Sequence, residues 1–215
     1  MLSVGRPNYT ERGEVVPTNT TVITILDATR ALVLEHGYAS LSTRNVAQLA
    51  GVPLSQIHYH FGSKEQLVLR MLDAENARLL ERQSEMYAGN EPLSQQWAAA
   101  CDYLDDDLNS GYVRILHEML AAGLSSTLVG ERVHSIIRGW TLVLTEAAER
   151  HAARGFSFAP LTIDHVVALT SAAFIGAELL ILAGHEKDLP LRDSLRAIGT
   201  LIEAGERSML QGSGS

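Results

Sequence analysis

The chain has 215 residues, long enough to bury a core unaided, and one cysteine, Cys101, which excludes an internal disulfide and a cysteine-cluster zinc site. Its net charge of −8 speaks against a nucleic-acid binder until the distribution is read. Residues 1–70 hold six Lys/Arg (Arg6, Arg12, Arg30, Arg44, Lys64, Arg70) against five acids (Glu11, Glu14, Asp27, Glu35, Glu65), a balance of +1, so the other eleven basic and twenty acidic residues leave −9 on the remainder. Only the first part can approach a polyanion without strong repulsion.

The opening stretch, MLSVGRPNYTERGEVVPTNT, has no apolar h-region, so no signal peptide is expected. The most apolar stretch, Ile163 to Ala183, is interrupted by Asp164, His165 and Glu178, so it does not read as a membrane span. With the lone cysteine, this points to a reducing, cytoplasmic setting.

In chain order, residues 1–19 are polar, punctuated by Gly5, Pro7, Gly13 and Pro17, and read as a flexible arm. Apolar residues then recur at Ile25, Ala28, Thr29, Leu32 and Val33, a helical stripe that Gly37 ends. Ser42 is placed to cap a short helix over Thr43–Ala50, with Val46, Ala47 and Ala50 inward. Gly51 breaks it, a third helix runs from Leu54 to Phe61, and Gly62-Ser63 precedes a long fourth helix reaching Tyr87. Further helices are predicted over about 92–109, 111–123, 126–154, 162–185 and 190–210, with glycine or proline at each joint. No stretch alternates with period two. The expected class is therefore all-α. Residues 20–68 form an N-terminal three-helix head, 69–211 a helical C-terminal domain, and 212–215 (GSGS) a flexible tail.

The stretch AQLAGVPLSQIHYHFGSKEQLV, from Ala47 to Val68, sets four aromatic rings in a row between two glycine breaks. Two short helices joined by a glycine turn describe a helix-turn-helix. Ile57 and Phe61, four apart, can both face the core. Leu54, Ser55, Gln56, His58, Tyr59 and His60 are then left outward or at the rim, where a groove-reading helix needs polar tips and apolar frames. Lys64 stands where its ammonium and a helix N-terminus together suit a phosphate. His60 and Tyr59 also have a plain reading as packing residues. His58 and His60 point about 200° apart on a helix, with no carboxylate or cysteine at ligand spacing, so no metal or cofactor is expected.

STRNVAQLAGVPLSQIHYHFGSKEQLV resembles the DNA-binding segment of the TetR family of bacterial repressors, and ILDATRALVLEHGYASLS resembles the helix before it. The resemblance covers about residues 20–72. It implies a DNA-binding head on a ligand-binding and dimerisation domain, a homodimer, and double-stranded DNA as partner. It places Thr43 and Arg44 at the DNA edge of the second helix, and Leu54, Ser55 and Gln56 at the base-reading start of the third. Tyr59, His60 and Lys64 fall at backbone-contacting positions. Two residues depart from the pattern: Pro53 stands where Ser or Thr often caps the recognition helix, and His58 replaces the usual tyrosine.

Beyond the head, the helix over 111–123 is apolar on two faces, which predicts a sandwiched position. His117 beside Val113 and Leu120 is either a satisfied core histidine or a polar anchor in a pocket. Trp97, Tyr103, Tyr112, Met119 and Trp140 supply apolar walls, as core or as a chamber for an unidentified small molecule. Asp105–Asp107 reads as a solvated face. The helix around Ala173, Gly176, Ala177 and Leu180 is apolar nearly all round, and the last carries a Leu195, Ile198, Ile202 stripe. Together they suggest a two-fold four-helix interface. The sequence thus points to a ligand-responsive transcriptional regulator, most simply a repressor on a palindromic operator. Two other readings are an all-helical enzyme using His117 or His134, for which no catalytic motif is present, and a DNA-binding regulator without ligand response.

Overall fold

The computed structural model describes residues 19–212; the predicted arm, up to residue 18, and the tail, from residue 213, lie outside the described residues. Nine α-helices and one 3-10 turn, with no strand, make up the described residues. They divide into two compact units between Met71 and Leu72.

The first unit holds α1 (Asn19–Ser40), α2 (Thr43–Ala50), α3 (Leu54–Phe61) and the start of α4 (Lys64–Ala88). Each joint has a local cause. Gly37 leaves helical geometry at φ 78°, ψ 162° and kinks the end of α1. The Ser42 hydroxyl accepts from the Asn45 amide at 3.1 Å, capping α2. Gly51, left-handed at φ 66°, ends α2, and the Val52 amide then donates back to the Ala47 carbonyl at 3.0 Å. Pro53 sits at the N-cap of α3 without a side-chain cap, its φ of −59° setting the turn and its carbonyl accepting from Gln56. Ile25, Val33, Val46, Ile57, Phe61, Leu67 and Val68 close the core.

The second unit contains the rest of α4 with α5 (Leu93–Ser110), α6 (Tyr112–Gly123), α7 (Thr127–Ala153), α8 (Ile163–Leu182) and α9 (Leu191–Gly212). Helix α6 packs between α5, α7 and α8, the sandwiched position that its two apolar faces predict. Helix α8 is long and apolar enough to cross a membrane by composition alone, yet it packs against α5, α6, α7 and α9. Ion pairs tie the bundle together. Asp107 binds Arg82 at 2.6 Å, Asp105 binds Arg192 at 2.6 Å and Asp102 binds Arg196 at 2.8 Å. The run Asp105–Asp107 is therefore not the solvated face expected of it: arginines on α4 and α9 hold Asp107 and Asp105, and of the three only Asp106 is exposed.

A further fastening is buried. His151 Nε2 donates to Gln96 Oε1 at 2.9 Å, and the Gln96 amide nitrogen points at the carbonyls of Met86, Tyr87 and Gly89. This holds α7 to the turn between α4 and α5, where orphaned carbonyls would otherwise be unsatisfied.

In the first unit, Ile57→Ala removes a side chain that is 1% exposed and fixes α3 to its neighbours. The expected loss is about 2–5 kcal/mol, read by urea unfolding of the full chain. An unchanged midpoint would contradict this packing.

Candidate nucleic-acid interface and small-molecule chamber

The helix-turn-helix sorts its residues by burial. Arg44, Ser55, His58 and Tyr59 are exposed, Tyr59 by 74%. Thr43, Leu54, Gln56, His60 and Lys64 are half-buried. Gln56 Oε1 and His60 Nε2 are shielded from solvent and have no hydrogen-bond partner among the described residues. His58 Nδ1 lies 3.1 Å from the Gly62 carbonyl. A carbonyl only accepts, so Nδ1 is the protonated nitrogen, and the neutral ring leaves Nε2 as a bare acceptor.

Lys64 is partly committed within its own unit. Its ammonium donates to the Tyr38 carbonyl at 3.1 Å and sits 4.5 Å from the centre of the Tyr38 ring. There it neutralises the carbonyl end of α1. The Ser63 hydroxyl accepts from the Gln66 amide at 3.2 Å and caps α4.

In the second unit, two neighbouring cavities share a wall of Tyr87, Leu144 and Thr170. The smaller, about 70 Å³, brings together Tyr112 and Trp140, both predicted from sequence, with Phe174, Asp107 and Glu178. Tyr112 and Trp140 stack 2° from parallel with centres 6.5 Å apart. Their polar tips converge on one atom: Asn76 Oδ1 accepts from the Tyr112 hydroxyl at 3.0 Å and from Trp140 Nε1 at 2.7 Å. Burial pushes the Tyr112 phenol far above its ordinary value, so it remains a donor. Burial also raises the Asp107 carboxyl, against the pull of Arg82. The larger cavity, about 420 Å³, is lined by Trp97, Phe156, Phe158, Ile198 and other apolar side chains.

Three predicted chamber residues line neither cavity. Met119 is wholly buried core. The Tyr103 ring carries the Arg82 guanidinium 4.0 Å from its centre. His117 is one step removed, its Nε2 lying 3.2 Å from Glu178 Oε2. Sequence reasoning passed over Asn76, Glu178 and Phe174. Glu178 carried a signal, because a lone carboxylate deep in an apolar helix needs a buried partner.

The expected dimer face needs correction. Ala177 and Leu195 are buried with Trp97, Cys101 and Leu104, and Ala173, Ile198 and Ile202 pack on that cluster. The reason is α5: it covers the α9 stripe, and Trp97 Nε1 donates to the Leu195 carbonyl at 2.7 Å. Of the predicted set, only Gly176 and Leu180 stay outside that core, both half-buried. Another face remains open. Leu169, Ala172, Gly176 and Leu179 follow one another at helical spacing on α8, and Ala197, Leu201 and Ala204 do so on α9. Leu169, Leu179 and Leu201 are 58%, 52% and 74% exposed.

Residues 25–71 match the family described as bacterial regulatory proteins, tetR family. Over this segment, which is the helix-turn-helix unit, the chain is similar to the TetR family. The HTH-type transcriptional repressor AcnR of Corynebacterium efficiens is 36% identical over 61 residues, which are 28% of this chain and 32% of that relative. The match thus spans about a third of the curated relative's length. The fold extends further. A TetR transcription regulator from Haloarcula marismortui superposes with a TM-score of 0.72 at 17% identity, covering 86% of this chain and 97% of that one. The regulator FadR of Bacillus subtilis, solved with stearoyl-CoA, gives 0.68 at 15% identity, covering 85% and 98%.

Removing the shared acceptor tests the chamber's construction. Asn76→Ala leaves the Tyr112 hydroxyl and Trp140 Nε1 unpaired, at about 1–3 kcal/mol for each buried group. Urea unfolding should show that loss with a shift in tryptophan emission. Unchanged stability and emission would mean the two bonds do not hold the wall.

Proposed function

We propose that this chain is a ligand-responsive transcriptional repressor of the TetR family. It binds a palindromic operator as a homodimer in the cytoplasm, and a small molecule in the second unit releases it. The observation that carries this reading is a helix-turn-helix that keeps Arg44, Ser55, His58 and a 74%-exposed Tyr59 out of its own core. A soluble head gains nothing by exposing such a ring, whereas a groove-reading helix needs it.

In this reading Arg44 and the start of α3 (Leu54, Ser55, Gln56) read base edges, with Thr43 at the groove edge. Tyr59, His58 and His60 position the helix on phosphates. His58 donates to a phosphate only as imidazolium, since its Nδ1 proton is already given to Gly62. Lys64 contributes its charge from beside the Tyr38 carbonyl. The open stripes of α8 and α9 meet their two-fold copies. Two heads then address half-sites about 34–36 Å apart.

Release is a population shift. Tyr112 and Trp140 line the smaller cavity, and both are bonded to Asn76 on α4, a helix that starts in the first unit. A ligand that prefers a different setting of these rings also prefers a different setting of α4. The relatives' fold, one of them solved with a small molecule, supports a chamber here.

Arg44→Ala should cost roughly 1–3 kcal/mol on the DNA that the chain selects and less on random DNA, measured by fluorescence anisotropy. Equal losses on both would demote Arg44 to a phosphate contact. For the dimer, a Cβ at Gly176 meets nothing within 4 Å in the single chain. Gly176→Leu should therefore leave helical dichroism intact while overpacking a two-fold interface by about 1–3 kcal/mol at each copy. Light scattering should report dissociation; an unchanged dimer would move the interface off this stripe.

A further inference from the structure

The two cavities differ in chemistry, and they adjoin. The smaller is walled by the rings of Tyr112, Trp140 and Phe174, and the only charged side chains among its lining residues are Asp107 and Glu178. Their partners, Arg82 and His117, are bonded to them but do not line the space. Glu178 is 7% exposed and Asp107 5%. The larger cavity offers almost no polar surface: Leu93, Phe156, Phe158, Leu161 and Val167 face it, and its one tryptophan, Trp97, has its N–H occupied by the Leu195 carbonyl. Phe174 on the small cavity packs edge-on against Trp97 on the large one, their centres 5.5 Å apart, beside the shared wall of Tyr87, Leu144 and Thr170.

We infer that the effector is an amphipathic cation, with an ammonium-type head among Glu178, Asp107, Tyr112 and Trp140 and an apolar body in the 420 Å³ chamber. This rests on the small-molecule reading of the second unit and names the ligand class for it. The physical reasons are three. Aromatic faces present negative charge and hold desolvated cations. The lining holds two buried carboxylate side chains and no lysine or arginine, so it has no cation to offer an anionic head in a setting that screens little. The volume of the apolar chamber falls within the roughly 300–1,000 Å³ typical of ligand sites, whereas the small one has room only for a head group.

Three probes of equal chain length separate the head group from the tail: decyltrimethylammonium, decanol and decanoate, titrated calorimetrically into the full chain below their micelle concentrations. The ammonium should bind at least about tenfold more tightly than decanol, with decanoate weakest, as a desolvated cation–ring contact requires. It should also change the emission of Trp140, identified by its loss in Trp140→Phe. Glu178→Gln, which can still accept from His117, should bring the ammonium down toward decanol and leave decanol itself unchanged. Decanoate binding as tightly as the ammonium, a retained ammonium preference in Glu178→Gln, or no binding by any probe overturns the inference. The ranking on the unaltered chain stands as a test even where the variant does not fold. Operator release is assayed separately. Tight ammonium binding without release would sink the ligand-response reading and leave the ligand class standing, and release by a different compound would do the reverse.

Discussion

A single carboxamide oxygen, Asn76 Oδ1, accepts from Tyr112 and from Trp140, and much of the second unit's organisation follows from that arrangement. Buried donors must be paired or cost free energy. Two aromatic residues on α6 and α7 can therefore expose their faces to a cavity only while their polar tips are held elsewhere. Asn76 holds both from α4. The same logic recurs around it: Gln96 is satisfied by His151 and three carbonyls, Glu178 by His117, Asp107 by Arg82. The bundle is thus cross-linked by polar contacts between helices, and the cavities lie among those contacts.

That arrangement gives a physical basis for coupling. A two-state element is needed for one site to bias another. The stacked pair of Tyr112 and Trp140 lines the cavity and is bonded to α4 through its polar tips. Reorienting either ring strains or breaks a bond to Asn76. In the proposed repressor this is where chamber occupancy becomes a change in α4.

The head was legible in the sequence to nearly the residue. Ser42, Gly51 and Ser63 carry local hydrogen-bonding roles that a short window reveals, and Ile57 with Phe61 announces the buried face of α3. In the C-terminal unit the helices and their glycine joints were equally readable. The partners were not. Which stripe of α9 faces inward depends on α5, whose Trp97, 98 positions earlier, donates to the Leu195 carbonyl. Asp105 and Asp107 look solvated until Arg192 and Arg82 are brought to them. Asn76 gave no periodic signal at all, because one polar residue on an amphipathic helix is unremarkable until two donors converge on it. The Lys64 ammonium likewise reads as a free charge until Tyr38, twenty-six positions away, is folded against it.

The central claim is that two copies of the head read DNA as a pair. Selecting bound duplexes from a random pool with the full chain tests it most directly. The account predicts a two-fold symmetric motif whose half-sites repeat at about one helical turn, 34–36 Å, or a multiple of it. A single unrepeated motif, or no enrichment over the starting pool at low salt, would contradict it.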